Sequence, residues 1–252
     1  MKNFFKRLYR KLRKLFIILF VAQFVYIVIL RWINPPITVT QLSSWIEGNG
    51  LKRDYIKFED MSPNIRLAVM ASEDQLFPDH NGFDLKSIQK ALESKKSRIR
   101  GASTISQQVA KNVFLWQGRG WIRKGLEAYF TFMIEFVWSK QRILEMYLNV
   151  SEMGKGIFGI EAAAQKYFKK PAKKLTRTEA AMIAACLPNP KKYSVQPPSN
   201  YINRRYPWIL NQMNNPDYVY KSFFQSLKDI KNREGVSRFY KSSRIYFACK
   251  TL

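Results

Sequence analysis

The sequence predicts a mainly α-helical domain carried behind a single membrane-spanning helix. Three observations point there. Leu15 to Leu30 reads LFIILFVAQFVYIVIL, interrupted only by Gln23, and follows a stretch, residues 2–14, that holds seven Lys/Arg and no acid. From Pro63 onward apolar residues recur at three- and four-residue spacing between helix start and stop signals, and no alternating strand series appears. The chain has 252 residues, 46% apolar and 15% aromatic, enough to fill a core and too apolar for disorder.

The N-terminus comes first. Sixteen helical residues span about 24 Å, slightly short of a hydrocarbon core of roughly 30 Å. Arg31 can snorkel to the interface, and Trp32 and Tyr26 suit it. No small-x-small cleavage site follows Leu30; Arg31-Trp32-Ile33-Asn34-Pro35-Pro36 follows instead. Residues 15–33 are therefore read as an uncleaved anchor and residues 1–14 as a basic cytoplasmic tail. The positive-inside rule then places residues 34–252 outside the cytoplasm. Forty-three basic against 18 acidic residues give a net charge of +25, which demands an anionic environment. Outside the cytoplasm that environment is not nucleic acid. It is anionic headgroups or a bound phosphate. Two cysteines, Cys186 and Cys249, make no disulfide framework, and Cys186 in an alanine-rich run reads as a small buried hydrophobe.

Further along, Pro35-Pro36 opens a stiff connector and Thr38-Val39-Thr40 reads as extended. Ile65, Ala68, Val69 and Ser72 mark a helix that Pro78 stops. Leu85–Leu92 reads as a short helix, 94–100 as a basic loop and Ser103–Trp116 as a third helix before Gly118-Arg119-Gly120. Trp121–Trp138 and Lys140–Val150 are strongly helical, with Ser139 as the N-cap of the second. Met153–Gly159, with three glycines, reads as a loop. Thr176-x-x-Glu179 is a capping box opening a helix to Cys186, and Pro188-Asn189-Pro190 ends it.

Chemistry concentrates in three places. In Glu73-Asp74-x-x-Phe77-x-x-His80, adjacent carboxylates end an apolar helix, with the chain's only histidine close behind. A core has no use for such a cluster, because an unpaired buried carboxylate is costly or protonates. An enzyme can exploit that perturbation to obtain a base that works near neutral pH. Thr104, Gln107, Gln108 and Lys111 fall within about a 100° arc of one helix, with Ile105, Val109, Val113 and Trp116 opposite. Solvated faces usually carry Glu and Lys rather than Ser or Thr, so uncharged donors with one lysine suit a hydroxyl-rich or phosphorylated ligand. Arg123-Lys124-x-x-Glu127 is either an i,i+4 surface pair or the edge of a cleft. Lys140 can reach Glu127's site only if the helix ends between them. In that case it sits at a helix N-terminus suited to phosphate.

Several chemistries are excluded. One histidine rules out His-cluster metal sites and HExxH. Gly154-x-Gly156-x-x-Gly159 matches GxGxxG by count only, without a doubly wound pattern. There is no P-loop, and His80 lies beside carboxylates rather than in a serine triad.

Taken in order, E-D-x-x-F-x-x-H-x-G-F-D, G-x-S-T-I-S-Q-Q-x-A-K-N, R-K-x-x-E-A-Y and K-x-x-I-L-E-x-Y-L-N resemble the peptidoglycan glycosyltransferase family, which includes the glycan-polymerising domain of class A penicillin-binding proteins. The resemblance covers residues 45–212. It implies a lysozyme-like, two-lobed, mainly α-helical domain with a cleft. The implied reaction is polymerisation of lipid II onto a growing glycan strand, with inversion at the donor sugar and release of undecaprenyl diphosphate. Carried over by position, Glu73 is the general base and Glu127 the second catalytic carboxylate. Asp74, Phe77 and His80 match residues that shape the first motif. Ser103, Thr104, Gln108, Lys111 and Asn112 match substrate-cleft positions, and Arg123, Lys124 and Lys140 match cations around the diphosphate. The resemblance implies no cofactor and leaves divalent-cation dependence open. The partners it implies are lipid II, the glycan strand and an anionic bacterial inner membrane; cell-wall synthesis or division proteins stay open. Ala102 stands where the family usually has a second glycine, and residues 213–252 form a basic extension without a counterpart. A lytic muramidase and a non-catalytic glycan-binding scaffold are the competing readings. Cations around Glu127 favour the transferase over the first, and the intact carboxylates argue against the second.

Overall fold

The computed structural model describes residues 2–85, 89, 103–118 and 120–215. The first element, α1 (Lys2–Ile29), is one continuous helix, so the boundary between tail and anchor is compositional rather than structural. Its segment Phe4–Ile29 is long and apolar enough to cross a membrane.

The segment expected to be extended near Thr38 is instead a helix, α2 (Val39–Ile46). Its cause is local. Thr38 Oγ1 accepts from the Gln41 N–H, and the Gln41 side chain accepts from the Thr38 N–H. That reciprocal box overrides the β preference of two threonines and a valine. The same device opens the helix at Thr104 and, as expected, the one at Thr176.

Next come β1 (Lys52–Arg53) and α3 (Pro63–Glu73), which Ser62 caps with Pro63 in its first turn. α3 ends at Glu73, before Pro78 is reached. Then follow α4 (Ile105–Phe114), α5 (Trp121–Val137) and α6 (Lys140–Val150). α4 stops two residues short of Trp116, whose side chain is half exposed rather than part of the apolar face. Ser139 caps α6 as expected, so the helix does break between Glu127 and Lys140.

The glycine-rich stretch read as a loop forms β2 (Glu152–Gly154) and β3 (Ile157–Phe158). β2 pairs antiparallel and β1 parallel with β3, giving the order β1-β3-β2. Gly156 makes this possible. Its φ is +67°, and a Cβ there would lie 2.1 Å from the Asn49 carbonyl oxygen. α7 (Ile160–Phe168), α8 (Arg177–Cys186) and α9 (Asn200–Met213) complete the described chain. The expectations for Leu85–Leu92, for 94–100 and for Ala102 fall largely or wholly outside the described residues, as do Cys249 and the extension from 216 onward.

α3 packs against α8 and α9, while α4 packs against α5, α6 and α2. One continuous apolar cluster joins these groups, including Ile65, Ile105, Ile143 and Ile183, all fully buried. Each such side chain contributes about 2 kcal/mol by area. Asn149, in the Y-L-N of the fourth motif, is spent on architecture: its side chain bonds both the N–H and the C=O of Ile56.

Candidate active site

The site is built where α3 ends. Asp74 caps α3 with φ −160° and ψ 83°, which turns its carboxylate away from that of Glu73. Asp74 Oδ2 accepts the Ile105 N–H at 2.9 Å, so a negative charge sits at the positive N-terminus of α4. His80 Nε2 lies 3.0 Å from Asp74 Oδ1. The Gly82 N–H donates to His80 Nδ1 at 3.1 Å, which leaves Nε2 as the protonated nitrogen, donating to Asp74. Thr104 Oγ1 closes the loop by donating to the Gly82 carbonyl at 2.7 Å.

Asp74, His80 and Thr104 thus form a latch that pins the first motif to α4. Their polar atoms are taken up by that latch, and Phe77 is buried in the core. Asp74→Ala would orphan the Ile105 N–H and His80 together. The expected cost is about 2–3 kcal/mol of stability, read as a lowered melting temperature. A variant that melts like wild type yet loses substrate affinity would return Asp74 to the ligand-contact role.

The latch sets α4 so that Gln108 meets Glu73. Gln108 Nε2 donates to Glu73 Oε2 at 2.9 Å, and the Tyr147 hydroxyl donates to Gln108 Oε1 at 3.2 Å. With both ends of its amide engaged, Gln108 has one orientation. Burial pushes the Glu73 carboxyl above its ordinary value, opposed by the Gln108 bond and by the charges of Arg205 and Lys111. Burial also lowers Lys111, which stands one turn along α4 and feels both Glu127 and Glu73 as well as Arg123 and Lys124. Lys111 therefore links the two carboxylates electrostatically.

Glu127 is 3% exposed, which settles the choice between surface pair and cleft. Arg123 Nη1 donates to Glu127 Oε2 at 2.6 Å, and Lys124 Nζ pairs with Oε1. The Arg123 Nε–H is buried with no hydrogen-bond partner among the described residues. Asn112 is nearly buried and Ser103 is exposed.

Lys140 does not join Arg123 and Lys124. Its ammonium pairs with Glu135 at 2.7 Å and lies 4.6 Å from the centre of the Phe77 ring. Glu135 also takes the Ser106 hydroxyl. Glu135 lies twelve residues beyond Arg123 on α5, about 18 Å along the axis, so Lys140 sits on a carboxylate of its own, apart from the Arg123–Lys124–Glu127 group. A helix N-terminus drew attention to it, but a nearly buried carboxylate had already claimed its charge.

A polar cavity of about 340 Å³ adjoins Gln108, Lys111 and Tyr147. Thr40, Ser43 and Ser44 of α2 and Lys191 of the segment after α8 form its other wall. Sequence reasoning missed Tyr147, Arg205 and these α2 hydroxyls. Tyr147 stood inside a recognised motif but reads as core by periodicity. Arg205 and α2 carry no pattern that separates them from surface residues.

Comparison with known proteins bears on this geometry. Residues 39–214 match the family described as Transglycosylase. The chain is 58% identical over 179 residues to biosynthetic peptidoglycan transglycosylases of Escherichia coli and of Shigella boydii serotype 4. Each alignment covers 69% of this chain and 74% of the relative. The match begins at Val39, where α2 begins.

Proposed function

The chain belongs to the transglycosylase family, and on that premise we propose that it extends glycan strands from lipid II, with Glu73 as general base and Lys111, Arg123 and Lys124 as the cationic cradle of the leaving diphosphate. The enzyme class is peptidoglycan glycosyl transfer, as in its relatives. The 4-hydroxyl of the acceptor sugar gives its proton to Glu73 as its oxygen attacks C1 of the donor strand's lipid-linked sugar. The bond from C1 to the diphosphate oxygen breaks, and the configuration at C1 inverts. The electron pair leaves on the diphosphate, whose charge grows next to three cations. Glu127 holds Arg123 and Lys124 in place for it.

The observation that carries this reading is one desolvated carboxylate, Glu73, separated by a single lysine from a buried carboxylate holding two cations. Burial raises Glu73's basicity, and a base is most effective with a pKa near the working pH. The unpartnered Arg123 Nε–H is a donor awaiting an acceptor. The adjoining polar cavity has the hydroxyl-rich lining suited to sugar rings. A muramidase could also use a raised Glu73, as an acid, but a neutral glycan gives it no use for the cations. We further propose that α1 crosses the inner membrane once with its basic end in the cytoplasm, so that the cleft meets a lipid-linked substrate at the outer surface.

The full chain in detergent with labelled lipid II tests the reading. Glycan strands are the expected product. No strands, with cleavage of finished peptidoglycan instead, would overturn it in favour of the muramidase. Gln108→Leu supplies a finer check. It removes a bond that lowers Glu73's pKa, so the acid limb of the rate profile is expected to move to higher pH.

A further inference from the structure

We infer that Arg142 is a positioning residue that locks the anchor helix to the catalytic domain, so that anchor and cleft move as one body. The inference rests on the proposed membrane topology. It starts from how α1 ends. A helix leaves its last carbonyls unpaired, and in a free membrane anchor water and headgroups satisfy them. Here the domain takes the carbonyl of Ile27 and, in the turn just past α1, those of Leu30 and Ile33.

The Arg142 side chain reaches back from α6. Its Nε and Nη2 donate to the Leu30 carbonyl at 3.0 and 2.9 Å, and Nη2 also donates to the Ile33 carbonyl at 2.9 Å. Nη1 is held by Glu145 at 2.6 Å. Just before this, α1 tightens: the Arg31 N–H donates to Val28 O rather than Ile27 O. The freed Ile27 carbonyl takes the Trp138 indole N–H at 2.8 Å. One turn deeper, Gln23, the only polar residue of the apolar run, accepts the Tyr129 hydroxyl at 2.9 Å.

Residues 23, 27 and 30 recur at i, i+4 and i+7 and so form one stripe. The side chains of Ile27 and Leu30 are fully buried within the domain's own core cluster, while their neighbours Phe24, Val25 and Ile29 stay exposed. The arrangement therefore goes beyond a passing contact, because α1 is packed, hydrogen-bonded and capped by α5 and α6.

The consequence is geometric. Seven residues separate Gln23 from Leu30, about 10 Å of helix. If that stretch stood clear of the bilayer, only Leu15–Ala22 of the charge-free run would remain, about 12 Å against the roughly 30 Å required. The domain's flank is therefore held beside the acyl chains, and the clamp fixes the height and tilt at which the cleft meets a membrane-bound diphosphate. A loosened clamp penalises a substrate confined to the bilayer and spares one that is not.

The test uses the full chain. Arg142→Lys keeps the charge beside Glu145 but loses the planar fork that reaches two carbonyls. Trp138→Phe deletes the bond to Ile27 while keeping an aromatic ring in the core, and it guards against an Arg142 variant that fails to fold. Spin labels at Phe16→Cys and Lys155→Cys, both exposed sites, with Cys249→Ser and Cys186 buried, report the anchor-to-domain distance in nanodiscs. Wild type is expected to give one narrow distribution and each clamp variant a broadened one. Polymerisation of bilayer-embedded lipid II is expected to fall about tenfold, while a short-prenyl analogue in detergent falls less than about twofold. Unchanged distance distributions, or equal losses on both substrates, would overturn the clamp. A wild type inactive on both substrates would refute the proposed reaction instead, and the distance measurement alone would then decide the clamp.

Discussion

Glu73→Gln is expected to reduce polymerisation by about 10³-fold while leaving the protein at least as stable as wild type. The first half follows from removing a general base, which typically contributes 10²–10⁴-fold. The second follows from the sign of its pKa shift. Burial raises the folded-state pKa above 4.5, so the fold disfavours the carboxylate relative to the unfolded chain. That penalty is absent below the unfolded pKa. It grows as pH rises and is complete above the folded pKa. Near pH 7 a neutral isostere escapes it and still bonds Gln108. A paired activity and melting measurement checks both halves, and a variant that loses both activity and stability would mean Glu73 is structural.

Glu127→Gln is expected to behave in the opposite way on stability. Glu127 is buried and pairs with Arg123, itself largely buried, and with Lys124, which is about half exposed. Removing its charge strands the Arg123 guanidinium, which is destabilising by a few kcal/mol in buried pairs. Lys124 adds little, because solvent screens it. Activity is expected to fall about 10²-fold or more, since the cations lose the carboxylate that orients them. Glu127 also raises Lys111's pKa against burial. Without it Lys111 loses its proton at lower pH, so the alkaline limb of the variant's profile is expected to shift downward. Equal melting temperatures for Glu127→Gln and wild type would contradict the buried pair.

The contrast between these carboxylates shows what the sequence could carry. Helix starts were legible where a cap announces them, as at Ser139 and Thr176. Thr38 carries the same signature, yet its β-branched neighbours drew the reading toward an extended segment. The glycine-rich stretch after Ser151 reads as a loop because strands of two or three residues leave no periodicity. The pairing of β1 and β2 with β3 reveals the sheet. Residue types alone left two adjacent carboxylates, and only the resemblance gave Glu73 and Asp74 different parts. Two adjacent carboxylates diverge because the backbone turns at Asp74, sending one to the N-terminus of α4 and the other to Gln108. Lys140 shows how a partner can go unread. Its position suited phosphate, but Glu135, sitting among aromatic residues on α5, gave no sequence signal that it would take the charge.

The central claim is that an ionised, desolvated Glu73 accepts the proton of the attacking hydroxyl. The pH dependence of kcat/KM for lipid II polymerisation, compared between wild type and Glu73→Gln, tests it most directly. A wild-type acid limb lying above the ordinary carboxylate value of 4.5 is expected, with a residual variant rate in which that limb is gone. A variant that keeps the same limb, at whatever rate, would show that another group titrates and that Glu73 is not the base.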